Sequence, residues 1–113
     1  MTTQQTKAVA IGFNAGINNQ QAYAVAIGNL AGGGVTGQLS DAVAIGTNAG
    51  STGQLGSAVA IGNSAGLTGQ ETGAIAIGQN AGLTTQSSNS VAIGYNAGKN
   101  NQLGYSVAIG DSA

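Results

Sequence analysis

The chain contains no cysteine, histidine, tryptophan or proline. Without cysteine there is no disulfide framework and no thiolate to hold a metal. Without histidine, the side chain most often used as a general base near neutral pH is missing. Charge is scarce as well. Two basic and three acidic residues make up 4% of the chain and leave a net charge of −1, where an ordinary domain carries roughly 25%. A chain with no basic field lacks the main source of affinity for phosphates, so nucleic acid is not expected as a partner. No apolar run is long enough to span a bilayer, no charged-then-apolar leader opens the sequence, and membrane insertion is not expected. Asp41, Glu71 and Asp111 fall at three different phases of the sequence and form no catalytic pair. No cofactor, metal site or catalytic residue is expected, and the chain is read as a non-enzyme.

What the sequence has in abundance is glycine, at 21 residues, and a repeat. Val-Ala-Ile-Gly begins at Val9, Val25, Val43, Val59, Val91 and Val107, and Ile75 opens a copy that differs only in its first residue. The spacings are 16, 18, 16, 16, 16 and 16 residues. Ala-Gly follows each of the first six copies, as at Ala65-Gly66. Gln4, Gln20, Gln38, Gln54, Gln70, Gln86 and Gln102 each stand five residues before the next Val or Ile, and a threonine commonly stands two before the glutamine. The one longer repeat carries its two extra residues within Gly32–Gly34, where a glycine-rich bulge at a corner can absorb them.

A period of 16 with glycine at fixed phases rules out a helical hairpin, which is longer and would carry those glycines inside its helices. Each repeat reads as one coil of a β-solenoid, with a strand on Val-Ala-Ile and a second, weaker strand before the Thr-x-Gln pair. The expected fold is all-β: a single repeat domain over residues 1–113 made of seven coils. Stacked about 4.8 Å apart, equivalent residues form ladders, and the glutamines can bond amide to amide along the stack. The glycine columns are expected at positive φ or where no side chain fits.

Alternation within the strand sends Val and Ile to one side and Ala to the other. By size, the larger side chains are expected inside. The core ladder is then Val9, Ile11, Val25, Ile27, Val43, Ile45, Val59, Ile61, Ile75, Ile77, Val91, Ile93, Val107 and Ile109. The opposite column, Ala10, Ala26, Ala44, Ala60, Ala76, Ala92 and Ala108, is expected to be a smooth face against sister chains.

Ser57-Ala58-Val59-Ala60-Ile61-Gly62 and Ser90-Val91-Ala92-Ile93-Gly94 resemble the YadA-like head repeats of trimeric autotransporter adhesins. The longer form, Ala-Ile-Gly-x-Asn-Ala-Gly-x-Thr-x-Gln, is similar to β-roll segments of phage and viral tail fibres. The resemblance implies a left-handed parallel β-roll, a homotrimer around a common axis, and an extracellular place on a cell or virion surface, with a host-surface receptor as partner. The repeat is 16 residues, longer than the usual head repeat, and no neck, coiled-coil stalk or anchor sequence is present.

Three other readings follow from the same residues. The last residue, Ala113, shares the phase of Ala65, and Met1 that of Leu67, so copies could continue the roll head to tail as a filament. Thr36, Thr52, Thr68 and Thr84 form a regular row that could meet an ice lattice, although glycine stands where a second threonine row is expected. The fragment Ile-Gly-x-x-Ala fits one turn of the hexapeptide repeat of acyltransferases, but 16 is not a multiple of six and those enzymes need a histidine.

Overall fold

A computed structural model describes residues 4–113. The column position assigned to Met1 lies outside the described residues. Among the described residues there are eleven short strands and no helix. Seven strands, β1 (Val9–Ile11), β2 (Val25–Ile27), β3 (Val43–Ile45), β5 (Val59–Ile61), β7 (Ile75–Ile77), β9 (Val91–Ile93) and β11 (Val107–Ile109), form one parallel sheet in coil order. A second parallel sheet holds β4 (Thr52–Gln54), β6 (Thr68–Gln70), β8 (Thr84–Gln86) and β10 (Asn100–Gln102). Pairing is residue on residue: Val43 meets Val59, Ala44 meets Ala60 and Ile45 meets Ile61. The expected β-solenoid is therefore present, with seven strands bounding about six turns. The stack measures 37 × 22 × 19 Å, in keeping with six steps of about 4.8 Å plus side chains.

Two tight turns close each coil. In the coil that starts at Val59, the Ala65 N–H donates to the Gly62 carbonyl at 3.2 Å and the Ala74 N–H to that of Glu71 at 3.1 Å. The third residues of these turns, Ser64 and Gly73, have φ of 58° and 71°, the left-handed position of a type II turn. Asn occupies one of these columns at Asn14, Asn48, Asn80 and Asn96, since it tolerates this conformation better than most residues. The turns also bond along the stack: the Ser64 N–H reaches the Thr47 carbonyl and the Gly66 N–H that of Ala81, each at 2.9 Å. Turn backbone thus takes part in the pairing between coils, as strand backbone does.

The two-residue insert forms a corner bulge. Asn18 Nδ2 donates to the carbonyls of Gly33 and Gly34, each at 3.2 Å. A Cβ on Gly34 would lie 1.6 Å from the Ser51 carbonyl oxygen, so only glycine fits. Register is restored by the Gln38–Gln54 bridge.

The second strand falls on Thr-x-Gln itself, not before it. Its central residue is left-handed, at φ 74° in Gly53, 70° in Gly69, 50° in Thr85 and 52° in Asn101. Only the flanking Thr and Gln pair across coils, as Thr52 with Thr68 and Gln54 with Gln70. That kink makes the segment look like a turn in sequence, while it aims the glutamine inward.

The interior inverts the expectation drawn from size. Ala26, Ala44, Ala60, Ala76 and Ala92 are fully buried within the single chain, and Ala108 is partly buried against the same cluster. Ala10, in the first described coil, is exposed. The alanine column is therefore the core lining and not a face toward sister chains. The Val and Ile ladder from Val9 and Ile11 to Val107 and Ile109 stands outside: the ten side chains from Val25 to Ile93 are half-buried and the four at the ends are exposed. The reason is the bore of the coil. The inward alanines meet those of Ala-Gly (Ala31, Ala49, Ala65, Ala81 and Ala97), and the remaining space is taken by the glutamines. Gln20, Gln38, Gln54, Gln70 and Gln86 are the largest fully buried side chains. A methyl on Gly82 would already lie 3.2 Å from the Ala76 Cβ and 2.6 Å from Gln86 Oε1. No volume remains for a branched side chain.

The expected amide ladder is present. Gln38 Nε2 donates to Gln54 Oε1 at 2.9 Å, and the same bond links Gln20 to Gln38, Gln54 to Gln70, Gln70 to Gln86 and Gln86 to Gln102 at 3.1–3.2 Å. Each donor also reaches the carbonyl of the first strand residue of its own coil, as Gln54 does to Val43 at 2.7 Å.

Candidate interaction face

The surface that stands out is the outer side of the seven-stranded sheet. Two adjacent columns of β-branched residues run its full height, roughly 29 Å for six steps of about 4.8 Å. Within the stack each Val or Ile is flanked by its copies above and below, so its sides are covered and its tip faces outward. At the ends the flanking is incomplete, and Val9, Ile11, Val107 and Ile109 are 39%, 59%, 67% and 63% exposed. A continuous apolar strip of this size is uncommon on a protein that works alone.

Two corner columns border the strip. One lies two residues before each strand's first position and includes Lys7, Tyr23, Asp41 and Tyr105; the other lies two residues after each Ile and includes Phe13, Thr47, Tyr95 and Asp111. All the aromatic residues of the chain are in these two columns, and all are exposed, from Tyr95 at 51% to Tyr105 at 83%. They cluster in the first two and last two coils. The Lys7 ammonium sits 5.6 Å from the centre of the Tyr23 ring, one coil away in the same column, within reach of cation–π attraction.

The other faces are mostly polar, with Val35 and Leu103 standing exposed among them. The threonine column is exposed at Thr36, Thr52 and Thr68 and half-buried at Thr84. Asn80 Nδ2 donates to Asn96 Oδ1 at 3.2 Å. Glu71 is engaged in structure: its Oε2 accepts from both the N–H and the hydroxyl of Ser88, each at 3.0 Å, clasping two coils. Among the described residues no three His, Cys, Asp or Glu side chains come together as metal ligands, and no helix is long and apolar enough to cross a membrane. Chemically, the arrangement offers one continuous apolar strip with aromatic and charged corners, and an exterior that is otherwise mostly polar.

Sequence reading found the residues of this face but assigned them to the interior. The aligned aromatics of the bordering columns, Tyr23 with Tyr105 and Phe13 with Tyr95, mark an edge only once the strip between them is known to lie outside.

The family model for the YadA head domain repeat matches the chain in two copies, at residues 84–97. That match and the parallel β-solenoid both fit YadA-like head repeats. No curated protein and no solved structure matches the chain.

Proposed function

We propose that these repeats build the head of a homotrimeric adhesin, displayed outside a cell or on a virion, with a non-catalytic role in surface attachment. Three copies turn their Val and Ile faces toward a common axis. Their polar faces remain outside, where a host-surface receptor can be met. The observation that carries this reading is the uninterrupted branched-aliphatic ladder on the outside of a coil whose own core is already full. Burying such side chains is worth about 1.5–3 kcal/mol each, and the chain has no interior left in which to do it. Closed cyclic assemblies are the usual way for identical chains to cover such a face. The match to the YadA head repeat supports the trimer and the adhesive role in particular.

Light scattering on the purified chain tests the assembly. A mass three times the 10.7 kDa chain is expected. A single-chain mass at micromolar concentration removes the reading, and an open-ended polymer replaces it with a head-to-tail filament. Retention of the trimer by an immobilised host-surface extract tests attachment. Passage without retention reduces the role to a stiff spacer.

A further inference from the structure

A cyclic axis parallel to the stack carries no translation. Each coil of one protomer then sits level with the same coil of its neighbour, and the leading corner of one chain meets the trailing corner of the next. Resting on the trimer proposed above, we infer that these two corner columns form the seam between protomers, with Lys7 of one chain against Phe13 of the next and Tyr105 against Asp111.

Chemistry at the corners distinguishes this seam from its alternative. In the level arrangement an ammonium meets an aromatic face at one end of the stack. A phenol hydroxyl meets a carboxylate at the other end, a charge-assisted hydrogen bond. Between them Asp41 comes level with Thr47, a carboxylate with a hydroxyl. Lys7 already lies over the Tyr23 ring within its own chain, and Phe13, 72% exposed, supplies a second ring. Inverting one stack against another about the strand direction brings like corners together. Lys7 then meets Tyr105, but Phe13 meets Asp111, and a carboxylate is stripped of water against an apolar ring with no partner. The exposed aromatics thus sit where they reward level chains and penalise inverted ones. Tyr105 and Asp111 are solvent-exposed in the single chain and make no hydrogen bond to each other there.

The seam is tested with paired cysteines in the full chain, which has none of its own. Residues 105 and 111 lie in the turns on either side of β11 (Val107–Ile109), at most roughly 20 Å apart at about 3.3 Å per residue. A short bis-maleimide cannot bridge them within a chain. Tyr105→Cys with Asp111→Cys is expected to give covalently linked trimers on a denaturing gel. Lys7→Cys with Phe13→Cys repeats the test at the other end of the stack, in case one variant fails to fold. Lys7→Cys with Tyr105→Cys, the inverted pair, is expected to stay at single-chain size. Linking of the inverted pair, or no linking by either level pair in a protein of trimer mass, overturns the seam and leaves the trimer standing. A single-chain mass for the parent protein overturns both.

Discussion

Gln70 Nε2 donates to Gln86 Oε1 at 3.2 Å, one coil further along the stack. The same amide nitrogen reaches the Val59 carbonyl at 2.7 Å and the Ala74 carbonyl at 3.2 Å, while its oxygen accepts from Gln54 Nε2 at 3.1 Å. One buried side chain therefore ties together three successive coils. Its two N–H hydrogens serve three acceptors, so at least one is shared. Replacing Gln70 by Leu keeps the bulk and removes all four contacts. Stranding a buried polar group costs about 1–3 kcal/mol, and Gln86 Oε1 is stranded, while Gln54 Nε2 keeps the Val43 and Ala58 carbonyls. A loss of about 1–3 kcal/mol is expected from urea unfolding followed by circular dichroism. Gln102→Leu should cost clearly less, since Gln102 is 8% exposed and donates to no further glutamine among the described residues. Equal losses at the two positions would mean that the ladder adds nothing beyond the volume of its side chains.

How far the sequence reveals this molecule depends on which quantity is asked for. Period, the position of the Val-Ala-Ile strand and in-register stacking are all legible, because Val-Ala-Ile-Gly repeats at a fixed phase and a helical hairpin does not fit 16 residues. The glutamine ladder was legible for the same reason. The side on which the core lies was not. Alternation separates Val59 and Ile61 from Ala60 without saying which set is inside, and the usual preference for large apolar residues in the core points the wrong way. What decides is the bore of the coil, set by the turns at Gly62–Ala65 and Glu71–Ala74 and by a glutamine reaching across. Bore is a property of the closed coil and of no single residue. The Thr-x-Gln strand was displaced in the reading for a related reason: its left-handed centre has no signature when Gly53, Thr85 and Asn101 all occupy it.

The alanine core makes a sharp prediction about size. Ala76 is fully buried, and its methyl lies 3.2 Å from the point where a Cβ on Gly82 would stand, itself 2.6 Å from Gln86 Oε1. Ala76→Val adds two methyl groups where nothing can move without breaking the ladder. Overpacking of this kind costs about 1–3 kcal/mol. The neighbouring change Ile75→Val, on the outer side of the same strand, restores the residue found in the other six repeats and should shift the thermal midpoint little. If Ala76→Val proves as well tolerated as Ile75→Val, the interior is wider than described here.

Two glycines of one coil should respond differently to substitution. Gly62 has φ 129°, and a Cβ there would lie 2.8 Å from the Gly78 carbonyl carbon and oxygen in the next coil. Gly62→Ala is expected to separate the coils locally and lower stability by several kcal/mol, since both the dihedral and the space exclude a side chain. Gly53 has φ 74° and no atom closer than 3.9 Å to its would-be Cβ. Asn and Thr already occupy that column at Asn19, Thr85 and Asn101. Gly53→Asn should therefore be within about 1 kcal/mol of the parent and can gain from a less flexible unfolded chain. A large loss at Gly53 would show that the column depends on glycine for something other than its backbone angle.

The apolar face can be removed without touching the fold. Ile45→Thr with Ile61→Thr replaces two central rungs of the outer ladder by a residue that is equally β-branched and suited to a strand, while Ala44, Ala60 and the glutamines stay as they are. Each replaced side chain forfeits up to about 1.5–3 kcal/mol of burial in the assembly, and three copies of the double change forfeit six side chains. That exceeds 8 kcal/mol, roughly the free energy of a micromolar association. The expected outcome is a protein with the parent's far-UV spectrum and the mass of a single chain, together with weaker retention on any surface that depends on multivalent contact. A double variant that keeps trimer mass would place the interface elsewhere on the coil. One that loses its β spectrum would show that the outer ladder holds up the single chain, in which case a full alanine core is not enough to fold it.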